Sequence, residues 1–141
     1  MITQNKDTMK EKMNVVSGDP KKKTLMQMRL SNSFNGIAFL FDVYDDNTYD
    51  ILNLQGRKIV KKGQFSNATM KMIKRIITNK NNIPIKYKKP SNCSECVTYE
   101  LFIDDEYYDL GYGFADLPDS LKNEDIVKIA TYAFYVAFVN T

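Results

Sequence analysis

The sequence predicts an α+β fold, an antiparallel β-sheet built from a meander plus a second hairpin, with two helices packed on one face. Three observations carry that reading. Apolar residues alternate with period two in short runs bounded by turn residues, and two longer segments carry the 3.6-residue period of amphipathic helices. The order of elements is strands, helix, hairpin, helix, which lacks the strand and helix alternation of a parallel sheet.

Residues 1 to 24 are polar, with Lys6, Lys10, Lys12 and the run Lys21 to Lys23, and are broken by Ser17-Gly18-Asp19-Pro20. They read as a flexible arm ahead of a single domain over residues 25 to 141. From Leu25, the apolar residues Met26, Met28 and Leu30 alternate with Gln27 and Arg29, as in a half-buried strand. Gly36 to Tyr44 places Ile37, Phe39, Phe41 and Val43 on one face and Ala38 and Leu40 on the other, so it reads as a central strand. Asp45-Asp46-Asn47 supplies turn chemistry, and Tyr49 to Leu54 and Lys58 to Lys62 follow as strands around Gln55-Gly56.

Ser66 caps a helix that runs to about Asn79, with Met70, Met72, Ile73, Ile76 and Ile77 on one side and Lys71, Lys74, Arg75 and Thr78 on the other. Asn79 to Asn92 is mainly a loop, with room for a short edge strand at Ile83 to Tyr87. Val97, Tyr99, Leu101 and Ile103 open the second hairpin, Asp104-Asp105 turns it, and Tyr108, Leu110 and Tyr112 return. After Leu117-Pro118, Asp119 or Ser120 starts a final helix that runs to about Val139, with Glu124 and Asp125 in its early turns.

A chain of 141 residues, 43% hydrophobic and 26% charged, is ordinary for one globular domain with a real core. The longest apolar stretch, Ile126 to Val139, is shorter than the roughly 20 residues that span a bilayer, so no membrane partner is expected. The polar start lacks the apolar core of a signal peptide, which reads as cytoplasmic. Export with the signal already removed would leave the same polar start and is the alternative.

Catalytic chemistry finds little to work with. The chain has no histidine, which removes the usual general base and nitrogen metal ligand, and its six glycines form no phosphate-binding loop. Cys93 and Cys96 have C-x-x-C spacing, yet a strand follows where a redox pair needs a helix N-terminus. Reduced thiols, a disulfide pinning the loop, and a metal shared within an oligomer are the three readings. Asp42, Asp45, Asp46 and Asp50 do not keep a calcium-loop spacing and are assigned to turn chemistry, as are Asp104, Asp105 and Glu106 at a hairpin tip. No enzyme activity, cofactor or metal is therefore expected. In the final helix, Tyr132, Phe134, Tyr135 and Phe138 are mostly core, leaving Tyr132 or Tyr135 as candidates for a partner contact.

Charge is the distinctive feature. Residues 51 to 94 hold eleven basic residues and no acidic one, whereas residues 95 to 141 hold ten acidic residues against Lys122 and Lys128. The net charge of +3 thus conceals a bipolar chain. One reading is mutual neutralisation across neighbouring strands. The other is a docking face in which Arg57, Lys58, Lys61, Lys62, Lys71, Lys74 and Arg75 bind a protein with a charged surface, as inhibitors, immunity-type proteins and adaptors do. Nucleic acid on the basic 57 to 89 segment is the alternative, weakened by the scarcity of aromatics there and by the acidic remainder. No motif assigns the chain to a family.

Overall fold

The computed structural model describes residues 19–32, 36–83, 97–104, 106–112 and 123–139. Among the described residues six strands form one sheet: β1 (Thr24–Asn32), β2 (Ala38–Tyr44), β3 (Thr48–Asn53), β4 (Lys58–Gln64), β5 (Val97–Ile103) and β6 (Glu106–Tyr112). Their order is β4-β3-β2-β1-β5-β6, and every neighbouring pair is antiparallel. β1 to β4 are the expected meander, and the β5–β6 hairpin joins along the other side of β1. The α+β antiparallel architecture read from the sequence is the one observed.

The register follows the hydrophobic alternation. Met28 lies between Phe41 of β2 and Leu101 of β5, and Leu30 lies between Phe39 and Tyr99. A slip of one residue would carry these side chains off the core face, so burial on that face fixes the pairing. β2 is buried at every position, as its two apolar faces require of a central strand. Three of the four hairpins turn on a non-glycine residue with positive φ, Asn47 (69°), Arg57 (52°) and Asp104 (54°), and the β1–β2 connection carries Gly36 at 71°. Asn and Asp tolerate that conformation. At the β3–β4 turn the left-handed residue is Arg57 and not its neighbour Gly56, which the sequence alone would favour.

Helix α1 (Asn67–Thr78) begins where predicted, with the Ser66 Oγ accepting the Thr69 N–H at 3.2 Å. Met70, Ile73 and Ile76 face the core, while Lys71, Lys74 and Arg75 are exposed. A 3₁₀ turn, Lys80–Asn82, follows. Helix α2 (Asp125–Phe134) starts later than the sequence suggests, with Glu124 at its N-cap and Asp125 in its first turn, and continues as a π turn over Tyr135–Val139. Asp119 and Ser120, the expected starts, lie outside the described residues, as do most of the strand expected at Ile83 to Tyr87 and both cysteines, Cys93 and Cys96.

Both helices pack into one core with Met26, Met28, Leu30, Phe39, Phe41, Val43, Tyr49, Ile51, Leu101 and Ile103. On the opposite face a smaller cluster joins Leu40, Leu52 and Phe102 with Leu54 and Tyr107. Among the described residues no helix is long and apolar enough to cross a membrane.

Candidate docking surface

Strand order decides how the bipolar charge is deployed. β4, which carries Lys58, Lys61 and Lys62, is the outermost strand on one side. β5 and β6, with Glu100, Glu106 and Asp109, lie beyond β3, β2 and β1 at the other. Four strand spacings separate β4 from β5, roughly 19 Å. That exceeds the Debye length of about 8 Å at physiological ionic strength, so the basic and acidic strands do not neutralise each other across the sheet.

Neutralisation runs instead through α1 and the turn after it. The Arg75 guanidinium grips Asp125 of α2 in a two-pronged contact, Nε to Oδ2 at 2.9 Å and Nη2 to Oδ1 at 3.1 Å. The hydrogen bond to Asp125 holds the guanidinium pKa above its ordinary value. Lys80 Nζ reaches Asp104 at 2.8 Å and Glu106 at 3.4 Å, and its bond to Asp104 raises the ammonium pKa likewise. These contacts pin α1 to α2 and to the β5–β6 turn.

Of the seven basic residues singled out in the sequence, two are therefore engaged within the fold. Arg75 belongs to Asp125, and Lys62 Nζ lies 3.2 Å from the buried Asp50. Arg57, Lys58, Lys61, Lys71 and Lys74 form no ion pair with any of the described residues. Arg57 and Lys58 lie in and just after the β3–β4 turn, Lys61 is on the helix-bearing side of β4 opposite Ile51, and Lys71 and Lys74 lie on the outer side of α1. Between the lysines of β4, Ile59 and Val60 are 38% and 41% exposed. A one-residue irregularity sets Leu52 opposite Ile59 and Ile51 opposite Lys61, which leaves Val60 without a partner on β3.

A second exposed strip lies on α2 and its π turn, where Tyr132, Tyr135 and Val139 face solvent. Tyr132 stays tied to the sheet: its hydroxyl shares a 3.3 Å hydrogen bond with that of Tyr49, and its ring lies 5.8 Å from Phe65. The end of the Tyr49 ring in turn occupies the space a Cβ on Gly63 of β4 would need. The aromatic strip and the edge strand thus meet at Gly63. Burial and the hydrogen bond with Tyr132 push the Tyr49 phenol above the usual tyrosine range.

The assignment of all four early aspartates to turn chemistry needs correction. Asp45 and Asp46 are exposed at the β2–β3 turn, where the Asp46 carboxylate accepts from the Thr48 N–H and hydroxyl and pairs with Lys22. Those contacts, the Thr48 hydroxyl first, hold its pKa below the ordinary value. Asp42 and Asp50 are buried directly opposite each other on β2 and β3. Asp50 accepts from the Tyr44 hydroxyl at 2.7 Å and from Lys62, and Asp42 accepts from the Thr24 hydroxyl at 3.0 Å. Burial, then the Asp50 contact, pushes the Tyr44 phenol above its usual range and keeps it a donor. The signal was present in the sequence, because Asp42 falls on the Ala38 and Leu40 face of β2.

Among the described residues, no group of three potential ligands could hold a metal ion. Neither protein-family models nor curated proteins give a match to this chain.

Proposed function

We propose that this chain is a non-enzymatic protein-binding domain that docks a protein partner through its basic surface, in the manner of an inhibitor, an immunity-type protein or an adaptor. The observation that carries the reading is the set of five cations, Arg57, Lys58, Lys61, Lys71 and Lys74, that form no ion pair with the described residues, three of them lying with the solvent-facing Ile59 and Val60 along β4 and the turn before it. Cations that no described carboxylate pairs contribute little to the fold and are available to steer a partner. The exposed Ile59 and Val60 between Lys58 and Lys61 favour a protein over nucleic acid, whose backbone offers phosphates and not apolar surface to such positions.

The test reverses Lys58, Lys61, Lys71 and Lys74 to Glu together and leaves Arg75 and Lys62 in place, because those two are paired with carboxylates within the fold. Association with the partner recovered from native extract should slow by about tenfold or more and lose most of its salt dependence. Melting should stay near that of the parent. Unchanged association would overturn the proposal. Retention of nucleic acid by the parent, with affinity falling steeply as salt rises, would put nucleic-acid binding in its place.

A further inference from the structure

We infer that β4 accepts an extended, acidic segment of a partner protein as a seventh strand of the sheet. The inference rests on the protein-docking reading and adds both the mode of binding and the chemistry of the partner. Among the described residues β4 has a neighbour only on its β3 side, and no residue along its seven-residue length is fully buried. An outermost strand presents a row of N–H and C=O groups that a further strand can pair, with main-chain bonds supplying affinity and alternate side chains supplying specificity.

The two faces of β4 state what that strand should carry. Lys58 and Lys61 stand opposite Asn53 and Ile51 on the helix-bearing side, while Ile59 stands opposite Leu52 on the other. A matching strand therefore alternates acidic residues, set against Lys58 and Lys61, with apolar residues set against Ile59. A second copy of β4 is a poor occupant, because pairing the edge with itself sets Arg57, Lys58, Lys61 and Lys62 against their own kind. The lysines and the irregularity at Val60 also blunt the edge against neutral and basic strands, which makes it selective for an acidic one.

Hydrogen exchange on the full chain reads this directly. The probe is a synthetic eight-residue peptide of alternating Glu and Val, and the control is the same peptide with its two central Val residues replaced by Pro, which keeps the charge and cannot pair along its length. The alternating peptide should slow exchange at residues 58 to 64 by about tenfold or more near saturation, and the proline peptide should not. Lys58→Glu with Lys61→Glu should weaken binding of the alternating peptide by about tenfold. The parent-chain comparison stands even if that variant folds poorly. Equal binding of both peptides, or no slowing at residues 58 to 64, would overturn strand addition. The docking reading would survive either result, since it falls only if the four-lysine reversal leaves partner association unchanged.

Discussion

Gly63→Ala tests the junction between the edge strand and the aromatic cluster. A Cβ at residue 63 would lie 2.2 Å from Tyr49 Cζ, 2.3 Å from its hydroxyl oxygen and 2.5 Å from Cε2. Ordinary contact begins near 3.4 Å, so the ring must retreat by more than 1 Å. Retreat is blocked on several sides. The Tyr49 ring packs at 4.6 Å from Phe65 and 4.9 Å from Phe41, and its hydroxyl is bonded to Tyr132. Overpacking of this kind costs about 1 to 3 kcal/mol. For a domain of this size that lowers Tm by roughly 4 to 12 °C. Thermal unfolding followed by circular dichroism measures it, and a double-mutant cycle assigns the cause. In a Tyr49→Leu background the same Gly63→Ala change should lose most of its effect, because the ring end is gone. A destabilisation of equal size in both backgrounds would refute the steric argument.

Other outcomes follow from the same geometry. Ile73 is fully buried in the core, so Ile73→Ala should cost about 2 to 5 kcal/mol in chemical denaturation, whereas Lys74→Ala should be nearly silent; equal tolerance would mean that α1 presents a different face. Tyr44→Phe leaves the buried Asp50 carboxylate without one of its donors and should cost about 1.5 to 3 kcal/mol, measured the same way. Alkaline pH should unfold the protein. Burial, more than any other cause, raises the phenol pKa values of Tyr44, Tyr49, Tyr99, Tyr107 and Tyr108, the last to about 12. Since the folded values lie above the unfolded one, these groups contribute full stability below pH 10 and lose it as pH rises toward the folded values. Tyrosinate absorbance from the buried Tyr44, Tyr49 and Tyr99 should therefore appear together with loss of secondary structure, and their smooth titration in a folded chain would contradict their burial.

The sequence by itself determined the local elements, because each rests on neighbours along the chain. Met26, Met28 and Leu30 alternate as a strand must, and Ser66 with Met70, Ile73 and Ile76 marks a capped amphipathic helix. The basic and acidic blocks were equally legible, since charge is counted without knowing the fold. Tertiary structure alone decided what those blocks do. Pairing β5 with β1 sent the acidic hairpin to the far side of the sheet from β4, a choice set by contacts between residues some seventy positions apart that no local pattern encodes. The same folding separated Lys62 and Arg75, which compensate Asp50 and Asp125, from Lys58, Lys61, Lys71 and Lys74, which no described carboxylate meets. It also took Asp42 and Asp50 out of the turn that their neighbours occupy. They lie on the face of the sheet opposite the helices, and alternation at period two, once the strands are paired, leaves them no other place to point.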